Sequence, residues 1–334
     1  MKALKLKETW LAIVLAFIAG YAAAYFLASK TAETTQQATP PNSLSEFRSN
    51  SGFKYINPLI ECDNYLPENN ASVAVLTSEI QSYLSELRAS QEASHVSVYY
   101  RDLNNGSWLG INEDERYSPA SLLKVPIMIA ALKRTEKDPT FLQKKIKFEN
   151  YVDEVTANII DTGLVEIGKS YTIEELIFKM IAYSDNEAKN LILHEIGDPD
   201  FNQTFIDAGI APPDFRYTTD VISVKEFSSF FRVLYNATYL NKEMSEKALS
   251  ILSNVNFKRG IVAGLPQGIT VAHKFGERAY NDTNIKQLHD CGIVYIQGKP
   301  YLICIMTRGA NFDALSKVIA KISGIVHSNV IANQ

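Results

Sequence analysis

Strand-like patterns in this chain gather at two places far apart in sequence, with a long helical stretch between them. That separation limits the folds open to it. "HVSVYYRDL" (95–103) and "SWLGIN" (107–112) alternate as strands and are joined by a turn at Asn104, Asn105 and Gly106. Strand patterns return only at "GITVAHKFG" (268–276), "HDCGIVYIQ" (289–297) and "PYLICIMTR" (300–308), the last two reading as a hairpin through Gly298 and Lys299. Between them the spacing is helical. "YTIEELIFKMIAYS" opens with Thr172 and Glu175 in capping-box spacing, and "VKEFSSFFRVLYNATYL" and "SEKALSILSNV" follow. Further helices are expected over Ala71 to Ala93, on a stripe of Val75, Ile80, Tyr83, Leu84 and Leu87, and from Phe312 to about Ile331. The economical packing is a two-lobed α/β (α+β) fold. One antiparallel sheet is built from both ends of the domain and covered by the terminal helices, and the helical insertion forms a second lobe. A cleft between lobes is where a site is expected.

Ahead of this domain, Trp10 to Ser29 carries no charge and is long enough to span a bilayer as a helix. Lys2, Lys5 and Lys7 precede it, so the positive-inside rule puts residues 1–9 in the cytoplasm and the rest outside. The expected layout is a cytoplasmic N-terminus (1–9), a transmembrane anchor (10–29), an extracytoplasmic linker (30–70) rich in Thr, Gln, Pro and Ser, and a domain at 71–334. A cleaved signal peptide is the competing reading; the apolar run is long for one and no small-x-small site follows it.

Composition excludes several classes. A net charge of −4 and scattered lysines give no reason to expect a nucleic-acid partner. Three cysteines cannot build a disulfide framework; at most one pair can form, and Cys291 and Cys304 read as buried strand residues. Five scattered histidines show no metal-ligand spacing, so neither metal nor cofactor is expected, and a monomer is expected.

One stretch carries chemistry. "YSPASLLKVPIMIA" (117–130) places Ser121 three residues before Lys124, on one face of a helix that then turns apolar. A lysine drawn into a buried helix loses proton affinity and becomes a base for the neighbouring hydroxyl. The bland alternative is a helix N-cap followed by a solvated lysine. The spacing alone is weak, since Ser51-Gly-Phe-Lys54 in the linker matches it too. "AYSDNEA" adds Ser184, Asp185 and Asn186 just after a helix, and "VAHKFGE" adds Lys274 and Gly276 on a late strand.

S-x-x-K, S-D-N and a K-x-G strand motif, in that order, resemble the signature set of the class A β-lactamase and penicillin-binding-protein superfamily. The likeness runs from about residue 72 to 332. It implies a five-stranded antiparallel sheet flanked by helices beside an all-helical lobe. It implies Ser121 as the acylated nucleophile, Lys124 as its base, Ser184 as the proton relay to the departing nitrogen, and Lys274 as the strand lysine that tunes Ser184. Asn186 is implied to hold the substrate's side-chain amide, Gly276 to let substrate lie against the strand, and the N–H groups of Ser121 and Glu277 to form the oxyanion hole. The implied partner is a β-lactam or a D-Ala-D-Ala-like cell-wall peptide.

Two departures stand out. Phe275 replaces the hydroxyl residue that meets the substrate carboxylate in this superfamily, and Arg278 is a candidate substitute. The stretch from Ile196 to Val221 lacks the glutamate that activates the deacylating water. Asp207, Asp214 and Asp220 are its late acids, with turn or cap roles as the simpler reading. Acylation with slow release is therefore expected. A non-catalytic peptidoglycan- or peptide-binding module on the same fold is the alternative.

Overall fold

The computed structural model describes residues 46–48, 52–62, 71–90, 92–150, 162–216, 218–280 and 282–332. The anchor expected at 10–29, and the cytoplasmic segment expected before it, lie outside these residues. Among the described residues no helix is long and apolar enough to cross a membrane.

In chain order the elements are β1 (Glu46–Arg48), β2 (Leu59–Cys62), α1 (Ala71–Ser90), β3 (His95–Asp102), β4 (Trp108–Ile111), α2 (Lys124–Lys137), β5 (Lys145–Lys147), β6 (Ser170–Thr172), α3 (Ile173–Ala182), α4 (Asn186–Asp207), α5 (Val224–Tyr235), α6 (Lys242–Leu252), β7 (Thr270–Ala279), β8 (Lys286–Tyr295), β9 (Tyr301–Gly309) and α7 (Phe312–Ala332). The expected sheet is present: β4-β3-β9-β8-β7, antiparallel throughout, with β7 at one edge. Successive strand side chains point to opposite faces. Gln287 to Val294 and Tyr301 to Thr307 are buried without a break, so both faces of the central strands are covered. Helix α7 packs on β8 and β9 and is backed by α1; α5 packs on β3, β8 and β9. Cys291 and Cys304 lie opposite each other in the β8–β9 ladder and are disulfide-bonded.

Helix α1 forms where expected, but its buried stripe is Leu76, Ile80, Leu84 and Leu87; Val75 is 53% exposed. A stripe at 76, 80, 84 and 87 keeps the i, i+3/i+4 rhythm with Ile80 as anchor, and Val75 falls off it. The second lobe is helical, with α2 packed against α4 and α6 and α3 packed against α4. It also holds a short ladder, β5–β6, that periodicity alone does not reveal: Lys145-Ile146-Lys147 is too short and too polar to announce a strand. The Thr172–Glu175 capping box forms at the start of α3, and Ser223–Glu226 makes a second one at α5.

Part of the stretch assigned to the linker is held on the domain. The Glu246 carboxylate accepts the backbone N–H groups of Lys54, Tyr55 and Ile56, and Tyr295 Oη donates to Tyr55 O. Lys54, the lysine of the second S-x-x-K match, is exposed there.

Candidate active site

Helix α2 enters the molecule through a 3-10 turn, Ala120–Leu123, which carries Ser121. Nearly every residue of the helix from Lys124 to Leu132 is buried. A helix apolar all round belongs in a core, and it takes its first residue, Lys124, in with it. Lys124 is 1% exposed. Its Nζ reaches four oxygens: Ser121 Oγ at 3.0 Å, Ser184 Oγ at 3.0 Å, Ser184 O at 2.5 Å and Asn186 Oδ1 at 2.7 Å.

Ser184 joins α3 to α4. Its φ of +57° is a left-handed conformation that non-glycine residues rarely adopt, and Ala120, just before Ser121, has φ +47°. Strain of this kind, of order ~1–3 kcal/mol per residue, is held only where the surroundings enforce it. At Ser184 the enforcing neighbour is Asp185, the buried N-cap of α4. Its Oδ1 accepts Glu187 N–H and Ala188 N–H, and its Oδ2 accepts Val165 N–H at 2.7 Å. The middle residue of S-D-N is thus the cap that aims the other two.

From the edge strand, Lys274 meets the same hydroxyl. Its Nζ donates to Ser184 Oγ at 3.0 Å and to Phe275 O at 3.0 Å, and it is fully buried. Burial pushes Lys274 down to about 7, with Asp290 and Glu277 opposing the fall. Burial also holds Lys124 well below the usual lysine range, helped by the positive charge of Lys274. The fold therefore brings Ser121, Lys124, Ser184, Asn186 and Lys274, which are spread over some 150 positions of sequence, into one hydrogen-bonded cluster.

Gly276 also has a role toward the turn that carries Ser121. A Cβ there would lie 2.8 Å from Pro119 O and 3.1 Å from Leu122 N. The glycine lets the turn that carries Ser121 press against β7, which sets Ser121 and Glu277 on facing segments. That turn is also tied to β8, by contacts that motif reading did not single out. Ser118 N–H donates to Gln287 Oε1 at 2.9 Å, and His289 Nε2 donates to Ser118 O at 3.0 Å while His289 Nδ1 accepts Thr307 N–H. Burial holds His289 at about 4, so it is the neutral tautomer.

Arg278 donates to Ser118 Oγ at 3.4 Å and lies over the Tyr280 ring; no bond joins it to Lys274 or Ser184. Phe275 is 1% exposed and stacks on Phe257, with ring centroids 4.2 Å apart. Phe257 carries no motif signal in the sequence. The three aspartates each have partners elsewhere. Asp207 accepts from Gln203 and Tyr239, Asp214 pairs with Arg216, and Asp220 accepts from Tyr280, Gln287 and Arg308. Among the described residues no cluster of His, Cys, Asp or Glu is placed to hold a metal ion.

The pattern of the beta-lactamase enzyme family matches residues 76–330 of this chain. A beta-lactamase of Streptomyces lavendulae is 24% identical over 265 residues, 73% of this chain and 85% of that enzyme. The CTX-M-97 beta-lactamase of Escherichia coli is 27% identical over 237 residues, 64% of this chain and 78% of that enzyme. Among solved structures, the TLA-3 extended-spectrum beta-lactamase superposes with a TM-score of 0.69 at 19% identity, covering 78% of this chain and 99% of that one. A mutant of PBP-A, solved as an acyl-enzyme complex with penicillin G, superposes with a TM-score of 0.66 at 22% identity, covering 80% of this chain and 100% of that one. These superpositions show a shared fold.

Proposed function

The chain belongs to the beta-lactamase enzyme family and is a serine hydrolase of that type; from this premise we propose that Ser121 is its nucleophile and Lys124 the base that activates it. The observation that carries this reading is the set of four oxygens around Lys124 Nζ. Two of them, Ser184 O and Asn186 Oδ1, only accept. A neutral amine has two N–H groups and one lone pair. With both N–H groups given to those acceptors, the lone pair is left for a hydroxyl proton, and Ser121 Oγ stands 3.0 Å away. Burial, with the charge of Lys274 beside it, pushes Lys124 toward the neutral form this needs.

In the proposed cycle Ser121 Oγ bonds to the acyl carbon as its proton passes to Lys124. Charge on the acyl oxygen is met by the N–H groups of Ser121 and Glu277, each worth about 3 kcal/mol when well aimed. The bond to the leaving atom breaks as Ser184 gives that atom its proton, and Ser184 is reprotonated across its 3.0 Å contact with Lys124. Asn186 positions Lys124 and faces the acyl side chain.

Release of the acyl group needs a water and a base. The three candidate aspartates are bonded to other partners, so we infer that the acyl-enzyme formed with a β-lactam persists. The PBP-A mutant was captured as an acyl-enzyme with penicillin G, which supports the same donor class here. We further propose that residues 10–29 anchor the chain and that the domain faces the cell-wall compartment, where D-Ala-D-Ala-like peptides are the natural acyl donors. A binding module would gain nothing from two buried lysines around one hydroxyl, which are costly to desolvate.

Peptide mapping after treatment with a fluorescent penicillin tests the assignment. The label is expected on the peptide holding Ser121, and Lys124→Ala should slow its appearance ~10²–10⁴-fold. Label on Ser51, or unchanged labelling in Lys124→Ala, would overturn it.

A further inference from the structure

We propose that Asp220 and Gln287 are positioning residues for acylation: the Asp220 carboxylate fixes the Gln287 amide, and the amide fixes the turn that carries Ser121. This rests on the reading of Ser121 as nucleophile. Asp220 is one of the late acids of the 196–221 stretch, where a base for release was sought. Its bonds lead instead to the nucleophile turn, through one buried side chain.

The turn needs holding. From Ser118 the chain runs through Pro119, which has no N–H, and through Ala120, whose φ of +47° is costly for a residue with a side chain. Ser118 N–H is thus the last backbone donor ahead of the strained residue. It is buried, and Gln287 Oε1 accepts it at 2.9 Å. Ser118 O takes His289 Nε2–H at 3.0 Å. Strand β8 therefore grips both polar groups of the Ser118 backbone.

The grip depends on which way the Gln287 amide faces. A primary amide has an accepting end and a donating end. Exchanging them would set two N–H groups against each other at Ser118. Asp220 decides the matter. Gln287 Nε2 donates to Asp220 Oδ1 at 3.0 Å, and the same oxygen takes Tyr280 Oη–H at 2.9 Å. Asp220 Oδ2 takes Arg308 Nη2 at 2.9 Å. A carboxylate only accepts, so Nε2 faces Asp220 and Oε1 faces Ser118. Tyr280 Oη, 3.3 Å from Nε2, gives its own proton to Asp220 and presents a lone pair there, which favours the same orientation. Gln287 is 1% exposed and cannot turn to solvent instead. Asp220 is brought to this place by backbone pairing beside it: Val221 N–H donates to Tyr117 O and Tyr117 N–H to Ile222 O, each at 2.9 Å.

Asp220→Asn removes the rule. The introduced amide has one accepting end for two donors, Gln287 and Arg308. Given to Arg308, it leaves an N–H₂ group toward Gln287, whose own amide then turns its N–H₂ against Ser118 N–H. Adding Gln287→Glu restores the pattern with the roles exchanged. The introduced carboxylate accepts both Ser118 N–H and the amide at position 220.

The test follows acylation of the full-length chain by a fluorescent penicillin in stopped flow, which separates the limiting acylation rate from the dissociation constant of the noncovalent complex. Wild type, Gln287→Met, Asp220→Asn and the double variant Asp220→Asn/Gln287→Glu are compared, with a melting curve for each. Both single variants are expected to lower the limiting rate about tenfold or more, with the dissociation constant unchanged within about twofold, and the double variant to recover to within about threefold of wild type. A wild-type limiting rate in either folded single variant, or a loss confined to the dissociation constant, would overturn the proposal while leaving Ser121 as nucleophile. A double variant no faster than Asp220→Asn, or no faster than Gln287→Met should Asp220→Asn not fold, would overturn the hold of Asp220 on the amide. Absence of label on Ser121 in the wild-type chain would overturn the reading beneath it and this proposal together.

Discussion

Lys124 and Lys274 converge on one oxygen: each holds its Nζ 3.0 Å from Ser184 Oγ, one from a helix of the second lobe and one from the edge of the five-stranded sheet. Two ammonium groups on a single buried hydroxyl repel each other and are poorly solvated. The arrangement is comfortable only when charge has been shed, and the fold pushes both lysines downward to that end.

This has a thermodynamic consequence with a definite sign. Lys274 is at about 7 in the folded chain against an ordinary 10.5. Between those values the unfolded chain holds a proton that the folded chain has released, so folding stability rises with pH across that window. Below about 7 the full cost of charging Lys274 is borne. Lys274→Met is therefore expected to be more stable than wild type near neutral pH, with the difference shrinking as pH approaches 10. Urea denaturation of both proteins at several pH values checks it; a variant less stable than wild type at neutral pH contradicts it.

At Ser184, backbone strain and chemistry can be separated. Ser184→Ala and Ser184→Gly both remove the hydroxyl proposed as the proton relay, and both should slow acylation by roughly 10²-fold or more. Only glycine relieves the φ of +57°. Ser184→Gly should thus be the more stable of the two by about 1 kcal/mol in denaturant titrations. Equal stability of the pair would show that the conformation carries no strain.

Gly276→Ala tests how closely the nucleophile turn is seated. The added carbon meets backbone, Pro119 O at 2.8 Å and Leu122 N at 3.1 Å, which has little room to give. Displacing the Ser121 turn by a fraction of an ångström should cut acylation by about 10²-fold, with a stability loss of ~1–3 kcal/mol. Acylation kinetics and a melting curve on the same sample read both, and near-wild-type acylation would mean that the turn does not rest on the strand.

Much of this was legible in sequence, for physical reasons. Ser121 and Lys124 are one helical turn apart, and the apolar run after them announced that the lysine would be buried. The capping box at Thr172 and the hairpin at Gly298 are local signals, and local signals survive into the fold. What escaped was nonlocal. Phe257 lies in an irregular turn, and only the packing of that turn against β8 brings its ring onto Phe275. The Cys291–Cys304 bond depends on the β8–β9 register, which a slip of one residue would undo. The crowding at Gly276 comes from a turn some 155 positions earlier in the chain.

The proposal is that Ser121 is acylated readily and that, with Asp207, Asp214 and Asp220 bonded to other partners, the adduct is lost slowly. It is tested most directly by intact-mass analysis of the full-length chain through a time course with saturating penicillin, alongside Ser121→Ala and the Asp207→Asn, Asp214→Asn and Asp220→Asn variants. The expected result is one acyl group per chain, absent in Ser121→Ala, lost slowly, released at the same rate within about twofold in Asp207→Asn and Asp214→Asn, whose carboxylates are bonded away from the Ser121 turn, and not slowed in Asp220→Asn, whose carboxylate is held by Tyr280, Gln287 and Arg308. Rapid multiple turnover that disappears in one of the aspartate variants, or an adduct that survives in Ser121→Ala, would contradict it.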